Sequence, residues 1–439
     1  MKVARIGNLF QPIPAIEYGG TQRSMAQMTA FQAALCAHDI TLYASDDSEI
    51  IAFSQNISDK LGLSSRVDLS GKSISIRNED GHMGRIILKS CGISSIGYED
   101  PGEKEKHDRL FSELVRDEKE KPFDLIHCHN RALMAGHIIP QGLFPKTLVH
   151  QHNISLERSY ADYAYPIICI SEDQAKRMRK KYKANVYAVI YHGLDSFAYA
   201  PTTESAGYLA WIGRFLKEKG AHRAIDIARE AGRPLVIAGL VYEKKRDSIT
   251  HFNEDILPLV DIHDPTFLDR TVGMTASEVR QEIEEMGKRT GKKNPVLFCG
   301  PANERQKQAL YGHAAATLFP ISWAEPFGRV MIESMACGTP VIGYESLGDD
   351  KCGSVAEVIE NGATGFLLSP RDESDGIRMA AEAAVKIGDL DRRRVRAVFE
   401  RDWTSERVAR QLDETYRAFL ERPPRPLDLR GRREKECFL

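Results

Sequence analysis

The stretch "AATLFPISWAEPFGRVMIESMACGTPVIGY" (315–344) decides the fold of this chain. It begins with an apolar strand, continues through a loop with Pro326 and Gly328, and leads by an apolar helix into a second strand at 340–344. Continuous apolar strands joined by a helix are typical of parallel sheets whose two faces are both covered. The stretch therefore predicts a doubly wound α/β domain.

The same alternation of strands and helices extends over most of the chain. Apolar runs recur between residues 2 and 193 and restart at "YLAWIGR" (208–214), with a joint near 195–208. We therefore predict two doubly wound, Rossmann-like domains, residues 1–200 and 201–400, that face each other across a cleft.

Two segments depart from this alternation. Residues 241–294 are polar and charge-rich with one helical stretch at 275–289, and we predict an insertion on the surface of the second domain. Residues 422–439 are rich in proline and arginine and are predicted to form a disordered tail.

Composition excludes several classes of protein. The 439 residues carry a formal net charge of −2, which gives no general attraction to nucleic acid or to an anionic membrane. The start shows no signal peptide, and no apolar run reaches the roughly 18–20 residues of a spanning helix. Eight cysteines are scattered without a CxxC pair, so we predict a cytoplasmic protein with reduced thiols.

Two glutamates, Glu325 and Glu333, flank the start of the apolar helix. Pro326 and Gly328 keep Glu325 on the loop before the helix, which puts the two carboxylates about 10–12 Å apart along the helix direction. This separation is too long for two carboxylates that flank one bond, and it suits two contacts with one long ligand. The alternative is an exposed Glu333 and a Glu325 that only complements the helix dipole.

Two loops offer contacts for an anion. Arg214 ends the first strand of the second domain, and Lys219 with Gly220 opens the next helix, which suits a diphosphate; the alternative is a solvated loop. In the first domain, Gly19 and Gly20 precede a helix whose amides also favour an anion, unless they form a plain tight turn.

Four histidines fall at predicted strand ends: His127, His129, His150 and His152. Residues two apart on a strand face the same side, so metal binding fits the spacing. The sequence shows no carboxylate placed to orient them, and we therefore predict no metal site. A neutral histidine that contacts a sugar hydroxyl or a phosphate is the favoured interpretation, and a structural role is the alternative for at least two of the four.

Five motifs in a fixed order resemble those of glycosyltransferase family 4, the retaining nucleotide-sugar transferases of GT-B fold. They are "GRFLKEKG" (213–220), "FCGP" (298–301), "EPFGRVMIESMACGTPVI" (325–342), "SVAEVIENGATGFLL" (354–368) and "DWTSERVARQLDETY" (402–416). The resemblance covers nearly the whole chain. It implies an α/β chain of GT-B fold in which a C-terminal helix, residues 401–421, crosses back to the first domain.

The resemblance also implies roles for individual residues. Glu325 would contact hydroxyls of the donor sugar, and Glu333 would hold the ribose of the nucleotide. Arg214, Lys219 and the turn at 19–20 would bind the diphosphate. Further donor contacts are implied at Gly213, Gly300, Pro326, Phe327 and Gly328.

One histidine at a strand end is implied to lie beside the reacting sugar. His152 matches this position best, and His150 is the competitor. In "YHGLD" (191–195), His192 stands where the family usually has asparagine, a departure from the pattern. In lipid-acting relatives a basic helix meets the membrane; for the basic run at 176–183 we favour a solvated helix face.

The function we predict is retaining transfer of a sugar from a UDP- or GDP-linked donor to a hydroxyl of an unidentified acceptor. No cofactor and no metal are expected, because Arg214 and Lys219 can carry the charge of the leaving diphosphate. First-domain loops such as 46–100 would bind the acceptor. The alternatives are a nucleotide-sugar 2-epimerase of the same fold and a non-catalytic nucleotide-sugar-binding protein.

Overall fold

The computed structural model of the chain describes residues 1–15, 19–96, 100–129, 141–153, 165–242 and 246–423. Its contacts divide the chain into two units. The first unit comprises Met1–Asp195 and Ser405–Leu439, and the second comprises Ser196–Thr404. The first boundary thus lies a few residues before the predicted one, and of the predicted tail, residues 424–439 lie outside the described part.

Nine strands form the sheet of the first unit: β1 (Lys2–Ile6), β2 (Asp39–Tyr43), β3 (Ser64–Asp68), β4 (Ser73–Arg77), β5 (Met83–Lys89), β6 (Leu125–Cys128), β7 (Thr147–Gln151), β8 (Ile167–Cys169) and β9 (Val186–Val189). Their order is β3-β4-β5-β2-β1-β6-β7-β8-β9. The pairings are parallel except those of β3 with β4 and of β4 with β5. Among the described residues before β10, the α-helices of the first unit are α1 (Gly20–Cys36), α2 (Ile50–Lys60), α3 (Glu103–Glu120) and α4 (Glu172–Tyr182).

The interpretation of residues 46–100 as loops is wrong for most of that segment, which contains α2 and β3 to β5. In β3 to β5, the residues with no solvent exposure are Ile74 and Ile76 of β4 and Ile86 of β5. Because β3 alternates exposed and half-buried residues, it lacks the continuous apolar run that marks the other strands.

Seven parallel strands form the main sheet of the second unit, in the order β12-β13-β11-β10-β14-β15-β18. A separate antiparallel pair, β16 and β17, follows β15 in the chain. The strands of this unit are β10 (Leu209–Arg214), β11 (Leu235–Leu240), β12 (Ile262–His263), β13 (Val296–Phe298), β14 (Ala316–Phe319), β15 (Val341–Tyr344), β16 (Ser346–Leu347), β17 (Asp350–Lys351) and β18 (Gly365–Leu368).

The helices of the second unit alternate with these strands, as the opening stretch of sequence predicts. They are α5 (Ala221–Glu230), α6 (Arg246–Thr250), α7 (Phe267–Thr271), α8 (Ala276–Thr290), α9 (Glu304–His313), α10 (Arg329–Ala336), α11 (Val355–Val358), α12 (Glu373–Lys386) and α13 (Arg392–Asp402). Each unit therefore has the doubly wound α/β architecture expected from the sequence.

The described part of residues 241–294 contributes to the main sheet and to the core of the second unit, so it is not confined to the surface. Strand β12 joins the edge of the main sheet by pairing with β13. In α8, Val279, Ile283 and Met286 are buried in the same apolar cluster as Phe267 of α7. Charged residues fill the other face of α8, which made the segment look like a solvated addition in the sequence.

The last helix, α14 (Ser405–Glu421), belongs to the first unit. Val408, Leu412, Tyr416 and Phe419 are buried in the apolar cluster that also holds Val3. Their spacing of three to four residues gives one continuous apolar face. The chain thus returns to the first unit after completing the second.

None of the helices in the described ranges is long and apolar enough to cross a membrane. The seven cysteines that lie within those ranges are all free thiols, and Cys128, Cys169 and Cys299 are buried.

Candidate active site

Glu325 lies on the loop between β14 and α10, as the sequence predicts. The helix begins only at Arg329, and Gly328 caps it with φ 80°. The backbone of Glu325 is held from the side: its N–H donates to the carbonyl of Cys352 at 3.3 Å, and its carbonyl accepts from the N–H of Ser354 at 3.0 Å. These bonds fix the position from which the carboxylate projects.

Lys219 and Glu325 form an ion pair. Nζ of Lys219 lies 2.6 Å from Oε2 of Glu325, and the side chains are 15% and 13% exposed. The same ammonium lies 4.3 Å from the centre of the Trp323 ring. Because an ammonium has three N–H donors, Lys219 retains donors for a further anion while it holds Glu325.

A short 3₁₀ turn, Lys217–Lys219, presents Lys219 at this place, and Gly220 with φ 74° joins it to α5. An added Cβ at Gly220 would stand 2.2 Å from the carbonyl oxygen of Pro320. The turn is therefore packed directly against the loop that carries Glu325, and only glycine fits at the contact.

Arg223, which was not predicted from the sequence, links the turn that carries Lys219 to the loop that carries Glu325. The guanidinium donates to the carbonyl of Pro320 at 2.7 Å, to the hydroxyl of Ser322 at 3.1 Å and to the carbonyl of Lys217 at 3.2 Å. The residue is 2% exposed. The signal available in the sequence was an arginine on the apolar face of an amphipathic helix, because a charged side chain placed there needs partners when it is buried.

His222, beside Arg223, gives a pH-dependent contribution to stability. Burial, and next the neighbouring Arg223, lower the pKa of His222 to about 4, against an opposing effect of Glu373. The folded state therefore binds this proton less readily than the unfolded state, and stability falls as the pH drops from about 6.5 towards 4.

We expect His222→Asn to lose less stability than the wild type between pH 7 and pH 5. The difference should be on the order of 1–2 kcal/mol in the free energy of unfolding. Urea titrations of both proteins at the two pH values measure it. Equal losses in the two proteins would contradict the assignment.

Glu333 is buried at 4% exposure, so the alternative of an exposed Glu333 is wrong. Its carboxylate accepts from the hydroxyl of Tyr311 at 3.1 Å and pairs with Lys307 at 3.2 Å. Nε of Arg329 lies 3.7 Å away. The desolvation of this carboxylate in α10 is thus compensated by two cations and a hydroxyl.

The remaining residues predicted to contact the donor differ in exposure and in packing. Arg214 ends β10 with its guanidinium 5.8 Å from the centre of the Tyr242 ring. Phe327 is 1% exposed and packs edge-on against Trp403 at 5.8 Å, so its side chain is not available to a ligand. Pro326 is buried like Phe327, whereas Gly213 is half-buried at the end of β10. An added Cβ at Gly300, with φ 74°, would meet nothing within 4 Å.

Gly19 and Gly20 lie at the start of α1 in the first unit. Gly20 is the first residue of the helix, and Gly19 precedes it. A Cβ at Gly19 would stand 2.4 Å from Oε1 of Gln11 and 2.5 Å from Cβ of Ala15. The turn is thus closely packed, which agrees with the alternative of a plain tight turn. The amides at the start of α1 also remain suited to an anion.

The predicted strand-end histidines lie together in the first unit. His127 and His150 are within β6 and β7, and His129 and His152 directly follow these strands. Nε2 of His127 lies 3.2 Å from Nδ1 of His150, and Nδ1 of His129 lies 2.9 Å from Nε2 of His152. His192 stacks on His152 with 5.3 Å between ring centres. The unusual residue in "YHGLD" thus extends this histidine cluster, defined as His127, His129, His150, His152 and His192.

Four rings of the histidine cluster, those of His127, His129, His150 and His152, are neutral. Burial is the largest cause that lowers the pKa of His127, His129 and His150 well below the usual value. Burial also lowers the pKa of His152 to about 3. His150 is 2% exposed, whereas His152 is half-buried. Of the two competitors for contact with a sugar, His152 is therefore the more accessible.

Comparison with known proteins gives a family match and several relatives. Residues 200–398 match the family model described as glycosyl transferases group 1. A D-inositol 3-phosphate glycosyltransferase of Streptomyces bingchenggensis (strain BCW-1) is 23% identical over 278 residues, which are 61% of this chain and 55% of that protein. The chain thus matches about half the length of this curated relative.

Two solved structures cover nearly the whole chain. The sucrose-phosphate synthase of Thermosynechococcus elongatus has a TM-score of 0.58 at 18% identity, over 96% of this chain and 99% of the other. Anabaena Alr3699/HepE in complex with UDP and glucose has a TM-score of 0.55 at 16% identity, over 95% and 100%. The chain therefore has the GT-B fold, and its residues 200–398 match the family model of glycosyl transferases group 1.

Proposed function

We propose that the protein is a retaining glycosyltransferase of family 4 that moves a sugar from a nucleoside diphosphate to an acceptor hydroxyl. The observation that carries the proposal is the Lys219–Glu325 ion pair, held by Arg223 and Ser354 within the segment that matches the family model. The pair joins a cation suited to a diphosphate with a carboxylate suited to sugar hydroxyls. The Anabaena structure, with UDP and glucose bound, supports a UDP-linked sugar as the first donor to test.

In the proposed reaction, the bond between the anomeric carbon and the diphosphate oxygen breaks. The acceptor oxygen bonds to the same carbon on the same face, and its proton passes to the leaving phosphate oxygen. Negative charge grows on the diphosphate, where Lys219 and Arg214 supply fixed positive charge. These cations take the part that a divalent ion has in other transferases, so we propose that the diphosphate site needs none.

Glu325 and His152 are proposed to contact the sugar. The carboxylate of Glu325 accepts hydrogen bonds from sugar hydroxyls while Lys219 keeps it oriented. His152, neutral because its pKa is lowered to about 3, can donate or accept a hydrogen bond but does not add a positive charge beside the sugar.

Glu333 is proposed to accept hydrogen bonds from the ribose hydroxyls. We expect Glu333→Gln to weaken donor binding by about 10- to 100-fold, since an amide replaces a charged acceptor. Calorimetric titration of the variant with the best donor measures the change. Glu284→Gln, a change of an exposed residue in α8, provides the control. Unchanged affinity in Glu333→Gln would remove the residue from the ribose contact.

The experiment that tests the function is calorimetry with a panel of UDP-, GDP- and ADP-linked sugars, with and without EDTA. We expect one donor to bind with a Kd in the micromolar range, equally well in the chelator. Binding of no donor would refute the proposal, and binding only with a divalent ion would refute the metal-free diphosphate site. Release of an altered sugar in the absence of any acceptor would instead indicate the epimerase.

A further inference from the structure

The histidine cluster of the first unit has a property that sugar transfer does not use. One ring nitrogen from each of His127, His129 and His150 lies within 4.8 Å of the others, and all three residues are buried. We infer that these three histidines bind one divalent transition-metal ion, with zinc as the fitting ion. This site belongs to the first unit, whereas Lys219 and Glu325 belong to the second.

Each of the three histidines can offer one nitrogen to the ion. Nδ1 of His127 is bonded to the hydroxyl of Tyr416 at 2.5 Å, so its Nε2 is the nitrogen for a metal, and the ion would replace the hydrogen bond of this atom with Nδ1 of His150. Nδ1 of His129 is bonded to His152, which again leaves Nε2. Nε2 of His127 and Nδ1 of His150 are 3.2 Å apart. In a tetrahedral zinc site with bonds of about 2.0–2.1 Å, two ligand atoms lie about 3.4 Å apart, which is close to this distance.

Proton counting within the cluster points the same way. A neutral imidazole carries one N–H, so each contact between two of these rings uses one donor and one acceptor. Nε2 of His129 is buried and lacks a partner among the described residues. An unsatisfied buried polar atom costs about 1–3 kcal/mol, and a metal ion that accepts the lone pair of this nitrogen removes the cost.

The chemistry of the site favours zinc. Metal ligation requires deprotonated imidazoles, and all three rings are buried among other histidine rings. Three histidines with an open fourth position are a known zinc arrangement, whereas magnesium and calcium prefer oxygen ligands.

Tyr416 supplies the orienting contact that the sequence did not reveal. Its hydroxyl oxygen accepts from Nη2 of Arg5 at 2.9 Å and can accept from Nδ1–H of His127. Metal-bound histidines usually donate their second N–H to such a partner. An ion on Nε2 of His129 similarly fixes the proton of that ring on Nδ1, from which it is donated to His152.

The test is metal binding by the full-length protein after removal of metal with a chelator. We expect one Zn²⁺ per chain in competition with a chromophoric chelator, and visible absorption of tetrahedral strength when Co²⁺ is added instead. His129→Gln and His150→Gln should each weaken Zn²⁺ binding at least 100-fold. His82→Gln, an exposed histidine of the same unit, should bind like the wild type.

Tyr416→Phe gives a second, milder variant because it keeps the ring in the core and removes only the hydroxyl. It should weaken Zn²⁺ binding about 10-fold. The inference is overturned if the wild type binds no ion, or if His129→Gln and Tyr416→Phe bind as tightly as His82→Gln. None of these readouts depends on donor binding or on sugar transfer.

Discussion

Lys219→Ala is expected to lower kcat/KM by about 10²- to 10³-fold, the usual effect of removing one group that stabilises charge in the transition state. The variant loses the cation at the diphosphate and also the partner 2.6 Å from Glu325. Because the pair is only partly buried, the free energy of unfolding should fall by no more than about 1–3 kcal/mol. Initial rates with the donor found by calorimetry, together with a thermal melt, measure both effects.

Lys217→Ala is the matched control for this prediction. Lys217 lies in the same 3₁₀ turn, its side chain is exposed, and only its carbonyl takes part in the contact with Arg223. Its rate should stay within about twofold of the wild type. A Lys219→Ala enzyme that works as fast as Lys217→Ala would exclude Lys219 from the mechanism.

Glu325→Ala should also lower the rate by orders of magnitude, because the sugar loses its carboxylate contact. Since Lys219 and Glu325 act as a pair, the double variant should lose less than the product of the two single losses. Independent, multiplying losses would show that the ion pair has no joint role in the reaction.

Gly353→Ala is expected to have the second large effect, although this residue has no side chain to contribute. A Cβ at Gly353 would stand 2.2 Å from the carbonyl oxygen and 2.5 Å from the amide nitrogen of Glu325. Both are backbone atoms, so the clash is relieved only by displacement of the Glu325 loop. We expect a loss of about 2–4 kcal/mol in the free energy of unfolding and at least a tenfold lower rate, since misplacement by 1 Å is costly in catalysis.

Gly362→Ala separates this clash from backbone strain. Gly362 has φ 75°, nearly the φ 77° of Gly353, but a Cβ there would meet nothing within 4 Å. The control should lose about 1–2 kcal/mol for the left-handed conformation and keep its rate. If the two alanine variants were equally active, the contact between Gly353 and Glu325 would have no catalytic importance.

Much of the fold was predictable from the sequence because the buried strands are continuous apolar runs and the motifs are local. The helix that follows Gly220 and the loop before α10 are examples of local features that the sequence located to within a few residues. The antiparallel strands β3 and β4 escaped prediction because their half-exposed positions carry polar residues.

The partners of the site residues were not predictable, because they are distant in sequence. Arg223 reaches Pro320 and Ser322 across about a hundred residues, and Tyr416 reaches His127 from the other end of the chain. Such contacts depend on which strands become neighbours in the sheet. A single sequence shows the residues that need partners, such as Glu333, but it does not show which residues meet that need.

The return of α14 to the first unit sets an order for folding during synthesis on the ribosome. The second unit is continuous from Ser196 to Thr404, and all of it has been synthesised before α14 begins. The apolar cluster around Val3 still lacks the four side chains that α14 contributes to it, and the guanidinium of Arg5 lacks the hydroxyl of Tyr416. The half of the protein that is made first is therefore the half that is completed last, and a ribosome that stops before residue 405 releases a chain whose N-terminal core is open to solvent.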